Sequence, residues 1–188
     1  MTAGVAILAQ AFDFAARAHV DQRRKGAAQE PYMNHLTEVV ALLSHSSHGN
    51  DVDLLAAGAL HDAVEDAGVT LGEIEERFGP GTASIVAEVT DDKSMPKPER
   101  KRRQVETAAH KSVSARLLKI ADKTSNLRSL VASPPASWDR KRLEEYADWA
   151  EQVVAQCRNL DPFLEARFDE ALDAARQQFK SKSKRDKH

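Results

Sequence analysis

Disulfides are excluded at the outset, because the chain carries a single cysteine, Cys157. One thiol suits a reducing compartment. Aromatic residues are scarce at 5%, and Ala and Leu carry the apolar load, which favours packed helices over sheets. No apolar run approaches the ~20 residues needed to cross a bilayer. An excess of one charge is also missing: the formal net charge is −2, which gives no basis for nucleic-acid binding. The opening "MTAGVAILAQAFDFAARAHV" lacks the basic start of a secretion leader and sets Asp13 and Arg17 into an apolar helical pattern. A soluble, cytoplasmic protein with an amphipathic first helix is expected, with no membrane partner.

What is present is helical periodicity over 188 residues that are 41% hydrophobic, enough for one domain with a sizeable core. Ala6, Leu8, Ala9, Phe12, Ala16 and His19 predict the inward face of the first helix. Pro31 precedes a second helix over about 32–46 bearing Leu36, Val39, Val40, Leu42 and Leu43. A third is expected over about 52–66, stopping near Gly68. Thr70 with Glu73 reads as a capping box, and "GPG" at 79–81 separates two further helices. A charged helix from about Glu99, an amphipathic one in "SARLLKIADKTSNLRSLVA", and two more over about 137–159 and 162–179 complete the chain. The expectation is an all-α bundle of about eight or nine helices. Residues 1–179 would form one domain, and the basic "KSKSKRDKH" of 180–188 a frayed tail.

Chemistry concentrates in "GALHDAVEDAG", residues 58–68. Helical spacing makes His61 and Glu65, and Asp62 and Asp66, neighbours one turn apart. Three carboxylates on an otherwise apolar segment repel one another and lose hydration; a divalent cation would neutralise them. His35, just before an apolar helix face, and Asp122, on the apolar stripe of "LLKIADKTSNL", complete a set of two imidazoles and two carboxylates. Such a set suits Mn²⁺ or Fe²⁺ better than a closed structural Zn²⁺ site.

The segments "FAARAHVDQRRKGAAQEPYMNHLTEVVALL", "AAGALHDAVEDAGVTLGEIEERFG", "VAEVTDDK" and "KIADKTSNLRSL" resemble the HD-domain phosphohydrolases. More narrowly they resemble the hydrolase domain of the RelA/SpoT alarmone enzymes and its stand-alone small relatives, from about Phe12 to Leu130. The resemblance implies His35, His61, Asp62 and Asp122 as metal ligands with Mn²⁺ as the usual ion. It implies Glu65 and Asp66 as the pair handling the attacking water, and Arg24, Lys25 and Asn126 as substrate contacts. Ser129 stands where some relatives have threonine, keeping a hydroxyl. The implied reaction removes pyrophosphate from the 3′ position of guanosine tetra- or pentaphosphate (ppGpp, pppGpp), leaving GDP or GTP. The synthetase and regulatory domains of the long enzymes are absent, which implies a hydrolase-only role.

Alternatives stay open. The same metal site would serve the 2′-phosphate of NADPH or a deoxynucleoside monophosphate, and a non-catalytic alarmone-binding protein would keep the pocket without turnover. Arg24 and Lys25 read equally as a solvated loop pair. "PERKRRQVETAAHK" reads as a solvated helix face more than as a polyphosphate-facing patch, with Lys97 and Arg100 to Arg103 the residues to test. Homo-oligomerisation is left open.

Overall fold

The computed structural model describes residues 2–185, with side chains over 4–180. Among these residues the chain forms α1 (Thr2–Ala18), α2 (Met33–Ser46), α3 (Val52–Leu60), the single turn α4 (Ala63–Asp66), α5 (Leu71–Phe78) and α6 (Pro80–Val89). After them come α7 (Lys97–Thr107), a 3₁₀ turn (Ala108–His110), α8 (Val113–Ala132), α9 (Arg140–Ala155) and α10 (Pro162–Arg185). The described residues contain no strand, only an isolated bridge between Arg23 and Pro31. None of their helices is long and apolar enough to cross a membrane. The expected all-α bundle is what forms.

Local signals set the helix starts. Asp51, Ser112 and Asp139 accept the backbone N–H of Leu54, Ala115 and Arg142 respectively, satisfying donors that a helix start leaves unpaired. Thr70 and Glu73 close the expected capping box, and Pro80 occupies the first turn of α6.

α8 is the hub of the packing. It lies against α2, α6, α9 and α10, while α3 packs on α1, α2 and α6. Leu36, Leu43, Leu54, Leu60, Leu118, Ile120 and Leu127 are fully buried where these helices meet. At Gly58 of α3 a Cβ would press on the side chains of Leu43 and Val40, so the glycine lets α2 and α3 approach closely. α7 contributes no fully buried residue; Val105 packs partly against the core, and Arg100, Lys101 and Gln104 make polar contacts to Glu65, Trp149 and Asp91.

Several expectations are corrected. Of the expected inward face of α1, Leu8 and Phe12 pack partly against the core and His19, just past the helix, is buried, but Ala6, Ala9 and Ala16 are exposed and the fully buried positions of the helix are Ala11 and Ala15. An alanine-rich helix offers two stripes of similar polarity, and its close contact with α3 selects one. The third helix is not continuous: α3 ends at Leu60, and His61-Asp62 form the turn into α4. α7 begins at Lys97, because Pro98 fits a helical first turn. α9 starts only at Arg140 because Asp139 caps it. α10 stays helical past Phe179 to Arg185, as strong helix formers such as Lys and Arg permit; residues 186–188 of the expected tail lie outside the described residues.

The connection from α1 to α2 leans on the end of α8. Ala28 N–H donates to Ser133 Oγ at 2.9 Å, and a Cβ on Gly26 would collide with the Ser133 carbonyl oxygen and side chain. Gly26→Ala should therefore lower unfolding stability by about 1–3 kcal/mol in urea titration. An unchanged midpoint would show that this loop is not anchored there.

Candidate active site

Three helices meet at one point on the floor of a cavity of about 940 Å³. α2 supplies His35, the α3–α4 turn His61 and Asp62, and α8 Asp122. One ligand atom each from His35, His61 and Asp62 lies within 4.8 Å of the others. His35 Nε2 is 3.5 Å from Asp62 Oδ2 and 3.4 Å from Asp122 Oδ1. His61 Nε2 is 3.1 Å from the same Asp62 oxygen and 4.0 Å from Asp122 Oδ1.

The hydrogen bonds around the imidazoles fix which nitrogen faces inward. His61 Nδ1 is 2.9 Å from the Gly58 carbonyl oxygen, which can only accept, so Nδ1 carries the proton. Ser125 Oγ donates to Glu38 Oε2 at 2.7 Å and therefore accepts from His35 Nδ1 at 2.9 Å. Arg128 holds the other Glu38 oxygen at 2.9 Å. Each ring thus turns its Nε2 toward the two carboxylates. His61 Nε2 is buried without a hydrogen-bond partner, since its approach to Asp62 lacks hydrogen-bond geometry. Two inward Nε2 atoms beside two carboxylate oxygens, with the far nitrogens tied to outer acceptors, fit a divalent cation, which would take the place of any proton on Nε2.

The electrostatics agree. Burial disfavours the charged imidazole, yet Asp62 and then Asp122 raise His61 to about 9; this point of the fold calls for positive charge. Burial opposes ionisation of Asp62 and Asp122 as well, but His61 acting on the first and Lys123 on the second keep both well below the usual carboxylate range. Tyr32 donates to Asp62 Oδ2 at 2.7 Å, and burial together with Asp62 pushes its hydroxyl far up, so it stays a donor. Lys123 and Asn126 donate to the two oxygens of Asp122 at 2.8 and 2.6 Å.

Glu65 and Asp66 lie beside this cluster. The backbone N–H of Asp66 bonds the Asp62 carbonyl at 2.8 Å, so the one-turn spacing survives the break between α3 and α4. Glu65 accepts from Arg100 at 3.3 Å and from the Asp91 N–H at 3.4 Å. Burial, then Asp91 and Asp62, raise its carboxyl above the ordinary value. Asp66 accepts from Lys93 at 2.6 Å and Gln22 at 3.2 Å. Arg24 donates to Asn126 at 3.1 Å, joining the α1–α2 loop to α8. Arg24, Lys25, Asn126 and Ser129 all line the cavity, as do His61, Asp62, Glu65, Asp66 and Asp122, while His35 stands just behind.

The basic stretch divides. Lys97, Arg100 and Lys101 line the cavity, whereas Arg102 pairs with Glu99 and Glu106 on the outer face and Arg103 turns to Met95. The expected solvated face is thus right for only half of α7. Sequence reasoning gives no role to Tyr32, Glu38, Ser125 or Gln22. Glu38 one turn after His35 and Ser125 three residues after Asp122 carried the available signal.

Two imidazoles and two carboxylates gathered from three helices around a His-Asp dipeptide form the donor set of a candidate divalent-metal site. The chain belongs to the HD-domain family, whose model matches residues 11–152, further than the similarity to Leu130 expected above. Among curated proteins it is 47% identical over 165 residues to human guanosine-3′,5′-bis(diphosphate) 3′-pyrophosphohydrolase MESH1, covering 88% of this chain and 92% of that one. It is 45% identical over 169 residues to the protein of that name from Xenopus tropicalis, covering 90% and 94%. A solved structure described as "A metazoan ortholog of SpoT hydrolyzes ppGpp and plays a role in starvation responses" superposes with a TM-score of 0.86 at 41% identity, covering 92% of this chain and 96% of that one.

Two predictions follow from the geometry. Ser125→Ala cuts the line from Glu38 to His35 and should weaken divalent-metal binding about 10- to 100-fold in calorimetric titration; unchanged affinity would mean His35 needs no outer support. The second concerns Lys119, which is 4% exposed and has no carboxylate within ion-pair distance among the described residues. Burial, then Lys123 and Lys111, depress it to about 8. Between that value and its ordinary 10.5 the unfolded chain binds the extra proton, so stability should rise with pH through this window and lie lower below it. Lys119→Met should flatten the rise and stabilise the fold at neutral pH by on the order of 2 kcal/mol, read from urea midpoints at several pH values.

Proposed function

We propose that this chain is a divalent-metal-dependent 3′-pyrophosphohydrolase of ppGpp and pppGpp, working with Mn²⁺ in the cytoplasm. The observation that carries the reading is the pairing of an HD-type metal cluster with adjacent Glu65 and Asp66 under a wall of cations. Lys97 illustrates that wall: burial, then Arg142, Lys25 and Arg100, lower its affinity for a proton. Cations from two other segments, Arg142 of α9 and Lys25 of the α1–α2 loop, thus converge with Lys97 and Arg100 of α7, as a substrate bearing two diphosphates requires. The names of the similar proteins point to the same substrate.

Metal ligation falls to His35, His61, Asp62 and Asp122. The bound ion would supply Lewis acidity and a more acidic water. Glu65, raised toward neutrality and close to the cluster, accepts the proton of the attacking water, and Asp66 orients that water. The water oxygen bonds to the phosphorus carried on the ribose 3′ oxygen, the P–O bond to that oxygen breaks, the departing 3′ oxygen takes up a proton, and pyrophosphate bearing the water's oxygen is released. Arg24, Lys25 and Arg100 offset charge on the diphosphate under attack. Asn126 and Ser129 face the same space and contact the nucleotide.

A second reading is favoured by one feature. Trp138, Tyr146 and Trp149 form a row along the cavity wall, with centroids 5.8 and 5.4 Å apart. It offers room for the second ring system of a dinucleotide such as NADPH, whose 2′-phosphate would then be removed.

Purified protein with Mn²⁺ should release pyrophosphate from ppGpp. Orthophosphate from NADPH, with none of that release, would overturn the first reading in favour of the second. His61→Ala should lose both metal and turnover. Glu65→Gln and Asp66→Asn should retain Mn²⁺ while kcat falls about 100-fold or more; retained turnover would remove the acid pair from the mechanism.

A further inference from the structure

His19 is a buried histidine that the mechanism above does not use. It follows α1, is 2% exposed, and its Nε2 is buried without a hydrogen-bond partner. An apolar residue would fill this space without leaving an imidazole nitrogen orphaned. What the imidazole supplies is on its other side.

His19 Nδ1 lies 2.5 Å from Gln22 Oε1, and the Gln22 amide nitrogen donates to Asp66 Oδ2 at 3.2 Å. The amide has one donor end and one acceptor end. With its nitrogen committed to Asp66, its oxygen accepts from His19, whose Nδ1 carries the proton. The amide is therefore held at both ends, and its orientation is the one a carboxylate acceptor requires. The backbone reinforces this: Gln22 N–H bonds the His19 carbonyl at 3.0 Å, and Tyr32 N–H bonds the Gln22 carbonyl at 3.1 Å. The His19 ring also lies against Tyr32, centroids 5.1 Å apart, and Tyr32 donates to Asp62.

We propose that His19 is a positioning residue for Asp66, which it orients through Gln22. The proposal rests on the reading of Asp66 as part of the water-handling pair. His19 touches neither substrate nor metal ligand; its effect passes through a single amide that would otherwise rotate freely between two orientations. In one of them the Gln22 oxygen would face the Asp66 carboxylate, which is repulsive.

The test compares His19→Leu, which keeps bulk but removes the donor, with His19→Asn, whose amide nitrogen can replace Nδ1, and with Gln22→Leu. With Mn²⁺ and ppGpp, His19→Leu and Gln22→Leu should each lower kcat about 10- to 100-fold with KM and Mn²⁺ affinity little changed. The double variant should be no worse than either single one, because both cut the same line. His19→Asn should restore most of the loss. A second readout needs no turnover: in nitrogen-edited NMR the Gln22 side-chain amide, assigned by its absence in Gln22→Leu, should exchange slowly with water in the parent protein and in His19→Asn but fast in His19→Leu. If the parent releases no pyrophosphate, the functional reading falls while the amide exchange still decides this one. Unchanged kcat in His19→Leu, additive losses in the double variant, or amide exchange insensitive to residue 19 would each overturn the relay.

Discussion

Everything in this fold answers to one crowding: two imidazole nitrogens and two carboxylate oxygens held 3.1–4.0 Å apart in a largely buried place. Carboxylates in such a place repel and lose hydration, so without positive charge at their centre they would drive α2, α3 and α8 apart. The apolar contacts of Leu36, Leu60 and Leu127 resist that force, and Gly58 lets α2 and α3 approach closely enough for His35 and His61 to share a point. A cation would satisfy the same crowding from within. Packing and ligation would then be two answers to one electrostatic demand.

Around that point, control passes outward through short, fully committed chains of hydrogen bonds. Glu38 and Ser125 fix His35, the Gly58 carbonyl fixes His61, Tyr32 fixes Asp62, and Lys123 with Asn126 fixes Asp122. No ligand side chain depends on its own rotamer preference alone. Outer partners of this kind set tautomer and ring orientation, and their loss typically weakens a metal site about 10- to 100-fold. The fold therefore spends buried polar groups such as Ser125 and Lys123 near its hub, where apolar residues would pack more simply.

The legible part of this design was the part written in local patterns. Helical periods, the Thr70–Glu73 cap and the inward residues of α2 depend on neighbours in sequence, and they read correctly. His61 with Asp62, His35 and Asp122 stood out because charge on an apolar stripe demands a reason. The break at His61-Asp62 was hidden, since both residues keep right-handed helical torsions and Asp66 still bonds the Asp62 carbonyl. The true face of α1 was hidden because alanine matches either stripe. Gln22, Glu38 and Ser125 were hidden because ordinary surface-type residues acquire meaning only from partners 44, 87 and 90 positions away. Long-range pairing, not residue chemistry, marks the limit.

α7 presents the opposite balance to the buried cluster. It has no buried residue, and it meets the acid pair through Arg100 on Glu65, with Lys93 from the preceding loop on Asp66. The partners in these pairs are 22–48% solvent-exposed, and ion pairs so placed contribute only about 0–1 kcal/mol. They orient the carboxylates without locking them. A polyphosphate carries more charge per site and accepts from guanidinium with two oxygens at once, so it can draw on the same cations at little expense to the fold. The floor of the cavity is therefore committed through buried hydrogen bonds, while its cationic wall is held by contacts weak enough to exchange. Such a wall can yield its cations to a polyanion without disturbing the floor beneath it.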